Sequence, residues 1–235
     1  MKQPRTEIVD ALQRKASSEK AQWWNDYLKG EIPFMGIGTP DIRKLFLDRN
    51  RVSAYEDLTM NRQVALVNGL MRGSYAEEKL AAILFVQLFW LGNQRNSFLI
   101  NLVSDWFEDR LVFDWNTCDW LSVRILSPLI DSGEEEVIWK LKGWNRDSYL
   151  WKARASLVPF ARANSIASHG KSIYRFSDIL IRRKERFAKT AVGWVMREYS
   201  RHDPEFVLDF ISRHAKYTTA EVKRNALKYY RKDRK

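Results

Sequence analysis

The stretch that decides the fold is Arg186-Phe187-Ala188-Lys189-Thr190-Ala191-Val192-Gly193-Trp194-Val195-Met196-Arg197-Glu198-Tyr199. It reads as a helix rich in Ala, Val, Trp and Tyr. Within it Lys189 is one of four polar positions spaced by 35 residues: Asp119, Arg154, Lys189 and Arg224. The other three lie in similar stretches, from Asp119 to Leu129, from Tyr149 to Ala163 and from Val222 to Tyr230. A period of this size marks a repeat protein, in which each unit packs only on its neighbours. What recurs is a polar position, so these side chains are expected in a line along one face of the stack. One carboxylate followed by three cations suits a polyanion with one chemically different spot.

Composition agrees with this reading. A chain of 235 residues is long for a single globular core, but a solenoid has a core continuous between units. Hydrophobic residues make up 45 %, which excludes wholesale disorder, and 10 Gly with 6 Pro are too few for an all-β fold with its many turns. The expectation is an all-α solenoid of HEAT-like helical repeats, C-shaped with a basic concave groove. It forms one domain over 1–235, with helical hairpins over 1–50 and repeats over 51–235.

In the first part, helices are predicted over Thr6 to Lys15, Glu19 to Leu28 and from Thr39 to about Asp48. Gly30 to Thr39 is the break between the last two. Further helices are predicted near 54–59, 61–72, 76–91, 95–108, 119–130, 133–143, 148–163, 168–182, 184–201, 204–214 and 219–231. The charge run Lys228 to Lys235 is expected to fray. Thr39-Pro40-Asp41 is a helix start, with Thr as N-cap, Pro at the first helical position and Asp against the positive end of the dipole. Its amides form either a seat for a phosphate or an ordinary capped terminus.

The net charge of +11 is unevenly spread. Lys and Arg exceed Asp and Glu by 2 over residues 1–70, fall short by 5 over 71–140, and exceed them by 5 over 141–180 and by 9 over 181–235. A basic half is the footprint of a nucleic-acid binder, DNA or RNA, or else a solvated basic surface. The single cysteine, Cys118, rules out a disulfide framework and reads as a small buried apolar residue. His169, His202 and His214 are not at metal-ligand spacing. No Gly-rich phosphate loop, signal-peptide h-region or membrane-length apolar run is present; Leu80 to Leu91 is too short to span a bilayer. The expectation is a monomer without metal or cofactor, free of membrane, in a cytoplasmic, nucleoid-associated setting.

Trp115 and Asp119 are four residues apart and share a helix face. A carboxylate beside an aromatic can stabilise a developing cation or orient a water. Asp119 can equally cap a helix or pair with a repeat arginine such as Arg154. Trp23, Trp24, Trp90, Trp106, Trp120 and Trp144 are assigned to packing. Gly193, beside Trp194, marks a place where a neighbouring helix comes close.

At these residues the chain resembles the HEAT-like-repeat DNA glycosylases of the AlkD type. The resemblance spans nearly the whole chain. It rests on Tyr27 with Phe34-Met35-Gly36-Ile37-Gly38-Thr39-Pro40-Asp41-Ile42-Arg43, on Trp115-x-x-x-Asp119, on Trp151-x-x-Arg154-Ala155, and on Val192-Gly193-Trp194-Val195-Met196-Arg197-Glu198-Tyr199. It implies that Asp119 is the catalytic aspartate. Trp115 and Trp194 are then the aromatics cradling the lesion-bearing backbone, Arg154 the arginine beside them, and Tyr27 an aromatic meeting the opposite strand. The implied activity is release of positively charged N3- and N7-alkylated purines from double-stranded DNA, without flipping the base, as a step of base excision repair.

Lys189, Arg197, Lys223 and Arg224 are the leading phosphate contacts, and Thr39 and Arg43 join Tyr27 at the other strand. One departure is Asp114, where family members often carry a second Trp; it is expected to add negative charge near the DNA-facing surface. The alternatives are a non-catalytic repeat module that binds damaged or branched DNA, and a helical scaffold for an acidic protein partner.

Overall fold

A computed structural model describes residues 3–48 and 55–230, and among them every regular element is helical. The start of the helix predicted near 54–59 and the end of the tail predicted to fray lie outside the described residues. The chain forms helical-repeat pairs, as the spacing predicts, and divides into two compact units. One comprises Met1–Gln94 with Asp109–Trp120, the other Arg95–Glu108 with Leu121–Lys235.

The first unit holds α1 (Pro4–Gln13), α2 (Ser18–Leu28), α3 (Thr39–Leu47), α4 (Met60–Met71) and α5 (Ala76–Phe85). It also holds the start of α7 (Trp115–Leu121). Every residue of α5 is buried, and the helix continues through a wider π turn, Val86–Trp90. Helices α3 and α4 pack on α5, and α1 packs on α3 and α4. Three charged residues open α5. The Glu77 carboxylate accepts the backbone N–H groups of Met35, Gly36 and Ile37 at 2.8–3.0 Å. Glu78 accepts from the Tyr75 N–H and from Arg5, and Lys79 donates to the Met71 carbonyl at 2.6 Å.

The segment predicted as a break is therefore a fixed loop. At Gly36, φ is +84° and an added Cβ would lie 2.1 Å from the Ser17 carbonyl oxygen, so only glycine fits. Hydrogen bonds to a charged group are worth about 1.5–3 kcal/mol each. Glu77→Gln is thus expected to destabilise the chain by about 2 kcal/mol or more, read as a lower urea midpoint. An unchanged midpoint would show that the three amides find other acceptors.

The start of α3 differs from expectation. The Gly38 carbonyl accepts from the N–H of Asp41 and Ile42, so Gly38 is the N-cap and Thr39 the first helical residue, with no side-chain cap. Pro40 and Asp41 still stand in the first turn.

The second unit holds α6 (Asn96–Glu108), α8 (Ser127–Asp131), α9 (Glu135–Trp144), α10 (Leu150–Leu157), α11 (Gly170–Ile181), α12 (Arg186–Tyr199), α13 (Pro204–Arg213) and α14 (Ala220–Ala226). Helices α10, α12 and α14 pack side by side in one row, and α6, α9, α11 and α13 lie against that row. Arg154, Lys189 and Arg224 fall on α10, α12 and α14, so the 35-residue period maps onto successive helices of one row. Gly193 also behaves as expected: a Cβ there would stand 3.3 Å from the Val222 backbone on α14.

Candidate functional site

In the first unit the site is built around α7. Asp114 caps it: Oδ1 accepts the Thr117 N–H at 2.8 Å, and the Asp114 carbonyl accepts the Cys118 N–H at 3.1 Å. Asp114 is fully buried, so it does not add charge to an exposed surface as its sequence position suggested. Its Oδ2 has no hydrogen-bond partner. Burial pushes its carboxyl above the ordinary range, against the Thr117 and Asn116 groups and Lys79, which lower it. Burial likewise lowers the Lys79 ammonium, and the Asp114 charge adds to burial in raising Glu31. Lys79 also stands 5.3 Å from the centre of the Phe113 ring.

A raised folded-state pKa favours the protonated carboxyl. The contribution of Asp114 is therefore fully present below the unfolded carboxylate value and is lost as pH rises through the folded one. Asn caps a helix as well as Asp but does not ionise. Asp114→Asn is expected to match or exceed the original stability at neutral pH and to remove a fall in stability that begins above about pH 4. Urea melts across that range check it; a pH slope equal to that of the original chain overturns the assignment.

Trp115 is half-buried at the first position of α7, and Asp119, also half-buried, follows one turn later. Trp115 packs on the cluster of Leu28, Ile32, Phe34 and Ala76, together with Trp24. Its ring meets Tyr27 edge-on at 5.8 Å. Tyr27 stacks on Trp23 at 5.4 Å and an interplanar angle of 7°, and the two are 56 % and 58 % exposed. Trp23 is thus no packing residue. Its place one turn before Tyr27 on the same helix was the sequence signal for an exposed pair. Trp24 does pack, stacked on Phe34 at 5.5 Å, and Trp90, Trp106 and Trp144 are buried as expected. Cys118 is fully buried. Thr39 and Arg43 lie on α3, where Arg43 Nη1 meets Gln87 Oε1 at 3.5 Å.

In the second unit the predicted residues share the row α10, α12 and α14. Arg154 is buried, and its guanidinium donates to the Phe187 carbonyl and to Thr190 Oγ1. Lys189 Nζ donates to the Tyr217 carbonyl at 2.7 Å. Both repeat cations therefore bind the following repeat. Arg197 donates to the buried carboxylate of Glu198 at 2.7 and 2.9 Å and to Asn225 at 3.0 Å. Trp194 is half-buried, with its indole N–H enclosed and no acceptor among the described residues. Lys223 and Arg224 are exposed on α14. Among the described residues no group of His, Cys, Asp and Glu is arranged to hold a metal ion, and no helix is long and apolar enough to cross a membrane.

The first unit thus carries an aromatic and a carboxylate one turn apart on α7, and the second is a helical repeat stack with Arg154, Lys189 and Arg224 on one row. The family model described as "DNA alkylation repair enzyme" matches residues 8–230, and the chain belongs to that family. A solved structure titled "Predicted DNA alkylation repair enzyme from Enterococcus faecalis" is similar, with a TM-score of 0.77 and 15 % identity. The match covers 92 % of this chain and 96 % of that chain. At this identity the likeness is one of fold. No curated protein matches the sequence.

Proposed function

We propose that the chain is a monofunctional DNA glycosylase that hydrolyses the N-glycosidic bond of positively charged N3- and N7-alkylated purines in duplex DNA. The observation that carries this reading is the placement of Trp115 and Asp119 one turn apart on α7, in a member of a DNA alkylation repair family. An alkylated purine with formal positive charge is already a good leaving group. The bond from C1′ to the purine nitrogen breaks and its electron pair neutralises the base. The sugar is left with oxocarbenium character. The Asp119 carboxylate stabilises that charge and receives a proton from the water that adds to C1′. The products are a free alkylpurine and an abasic site. No acid is needed to protonate the base, so one carboxylate suffices.

An indole face beside the sugar adds about 0.5–2 kcal/mol of attraction to a cationic centre. Trp115 is assigned that role, and Trp194 and Arg154 complete the set that the family resemblance implies. The exposed stack of Trp23 and Tyr27 offers flat surface to the strand opposite. Lys223 and Arg224, exposed in the basic half, are assigned to phosphates.

The test is release of alkylpurine from methylated duplex DNA, followed by chromatography of the freed base. Release of N3- and N7-methylpurines by the purified chain supports the proposal. Tight duplex binding without release would make the chain a binding module instead.

A further inference from the structure

The second unit carries a cleft of about 650 Å³ between α9 and α11. This is the row of helices that does not bear Arg154, Lys189, Trp194 and Arg224. Ile130, Ile138 and Phe176 give the cleft apolar lining, and Trp139 lines it while being 69 % exposed. A second cleft, of about 510 Å³, shares Trp139, Lys142 and Arg146 with the first. Trp139 and Lys142 are three apart on α9 and Arg146 stands in the turn that follows it, so together they form one ridge shared by the two clefts. Arg175, on α11, lines the first cleft.

The cations on this ridge are free of carboxylate partners among the described residues. Several arginines of the unit are matched by carboxylates: Arg182 by Asp178, Arg183 by Glu185, Arg186 by Glu221 and Arg213 by Asp209. Lys142, Arg146 and Arg175 are exposed, and their side chains form no hydrogen bond or ion pair among the described residues. Of the carboxylates beside them, Asp178 is held by Arg182 and His214, and Glu108 by Lys152. Glu135 stands seven residues before Lys142, about 10 Å away along the helix.

Unmatched cations round an exposed indole suit an anionic chain with flat faces. Single-stranded nucleic acid is such a chain: bases stack on the aromatic and phosphates follow the cations. An acidic amphipathic helix would need a continuous apolar groove for anchors at successive turns, and here the ridge divides the groove. We infer that Trp139, Lys142, Arg146 and Arg175 form a second nucleic-acid site, for single-stranded DNA.

The experiment measures fluorescence anisotropy of labelled oligo-dT and of labelled undamaged duplex on the full chain. Trp139→Ala is expected to weaken oligo-dT binding about tenfold and to leave duplex binding unchanged, with Trp139→Phe restoring part of the loss. Replacing Lys142, Arg146 and Arg175 together by Ala should lower the salt slope for oligo-dT by about 2. Lys223→Ala with Arg224→Ala should not affect oligo-dT. All four positions are exposed, and thermal melting verifies that the variants fold. Unchanged oligo-dT affinity in both the Trp139 and the triple variants overturns the proposal. So does displacement of oligo-dT by undamaged duplex, which would mean one shared interface, or by oligo-glutamate at equal charge, which would mean attraction by charge alone.

Discussion

Asp119→Asn is expected to slow release of alkylated purine by about 10²- to 10³-fold, the scale on which one electrostatic group at a transition state acts. The substitution keeps size and hydrogen-bonding capacity and removes the charge proposed to stabilise the oxocarbenium. Duplex affinity should be almost unchanged, because phosphate contacts supply most of it. Trp115→Ala should act in the same direction with a smaller loss, together with a lower melting temperature, since Trp115 also packs on Phe34 and Leu28. Single-turnover base release with each variant, beside a binding isotherm, separates the two effects. Wild-type rates in Asp119→Asn would reject the proposed role. A variant that fails to fold would place Asp119 among the structural residues.

The second large effect concerns salt. Residues 141–235 carry a balance of +14, against −3 for residues 1–140. Affinity for undamaged duplex is expected to fall by about 0.9 log units per log unit of salt for each phosphate neutralised. Lys223→Ala with Arg224→Ala should flatten that slope by about 2 and weaken all sequences alike. Lys189 and Arg197 should behave differently. Their side chains already bind the Tyr217 carbonyl and the Glu198 carboxylate, so substitution there should lower stability before it lowers affinity. An unchanged slope in the double variant would remove α14 from the interface and favour a protein scaffold.

The period of 35 residues was legible because a repeat imposes its length on every unit. It placed Arg154, Lys189 and Arg224 on successive helices correctly. It did not show what their side chains hold. A period reports which row a residue occupies, whereas Arg154 turns to the Phe187 carbonyl through a contact set by how two helices approach. Glu77 was invisible for a related reason. Its three amide partners lie about 40 residues earlier, in a segment whose glycines read as a plain break. Asp114 read as a surface charge because the family resemblance sets its position beside Trp115, near the DNA-facing surface. The cap on α7 and the nearby Lys79 let it be buried. Trp23 was misassigned on the general habit of tryptophan, although its spacing from Tyr27 put both on one helix face. That Trp115 and Asp119 stand one turn apart on one helix needed only helical spacing.

The close approach at Gly193 has a bearing on helix α14. That helix rests on α12 through the glycine, and Thr219 caps its start by accepting the Val222 N–H. Local opening of α14 has to break this packing and this cap. Lys223 and Arg224 ride on the same helix. An anion seated on them is thereby thermodynamically linked to the seating of α14 on α12: binding protects its amides from hydrogen exchange, and part of the intrinsic affinity is consumed in holding it closed.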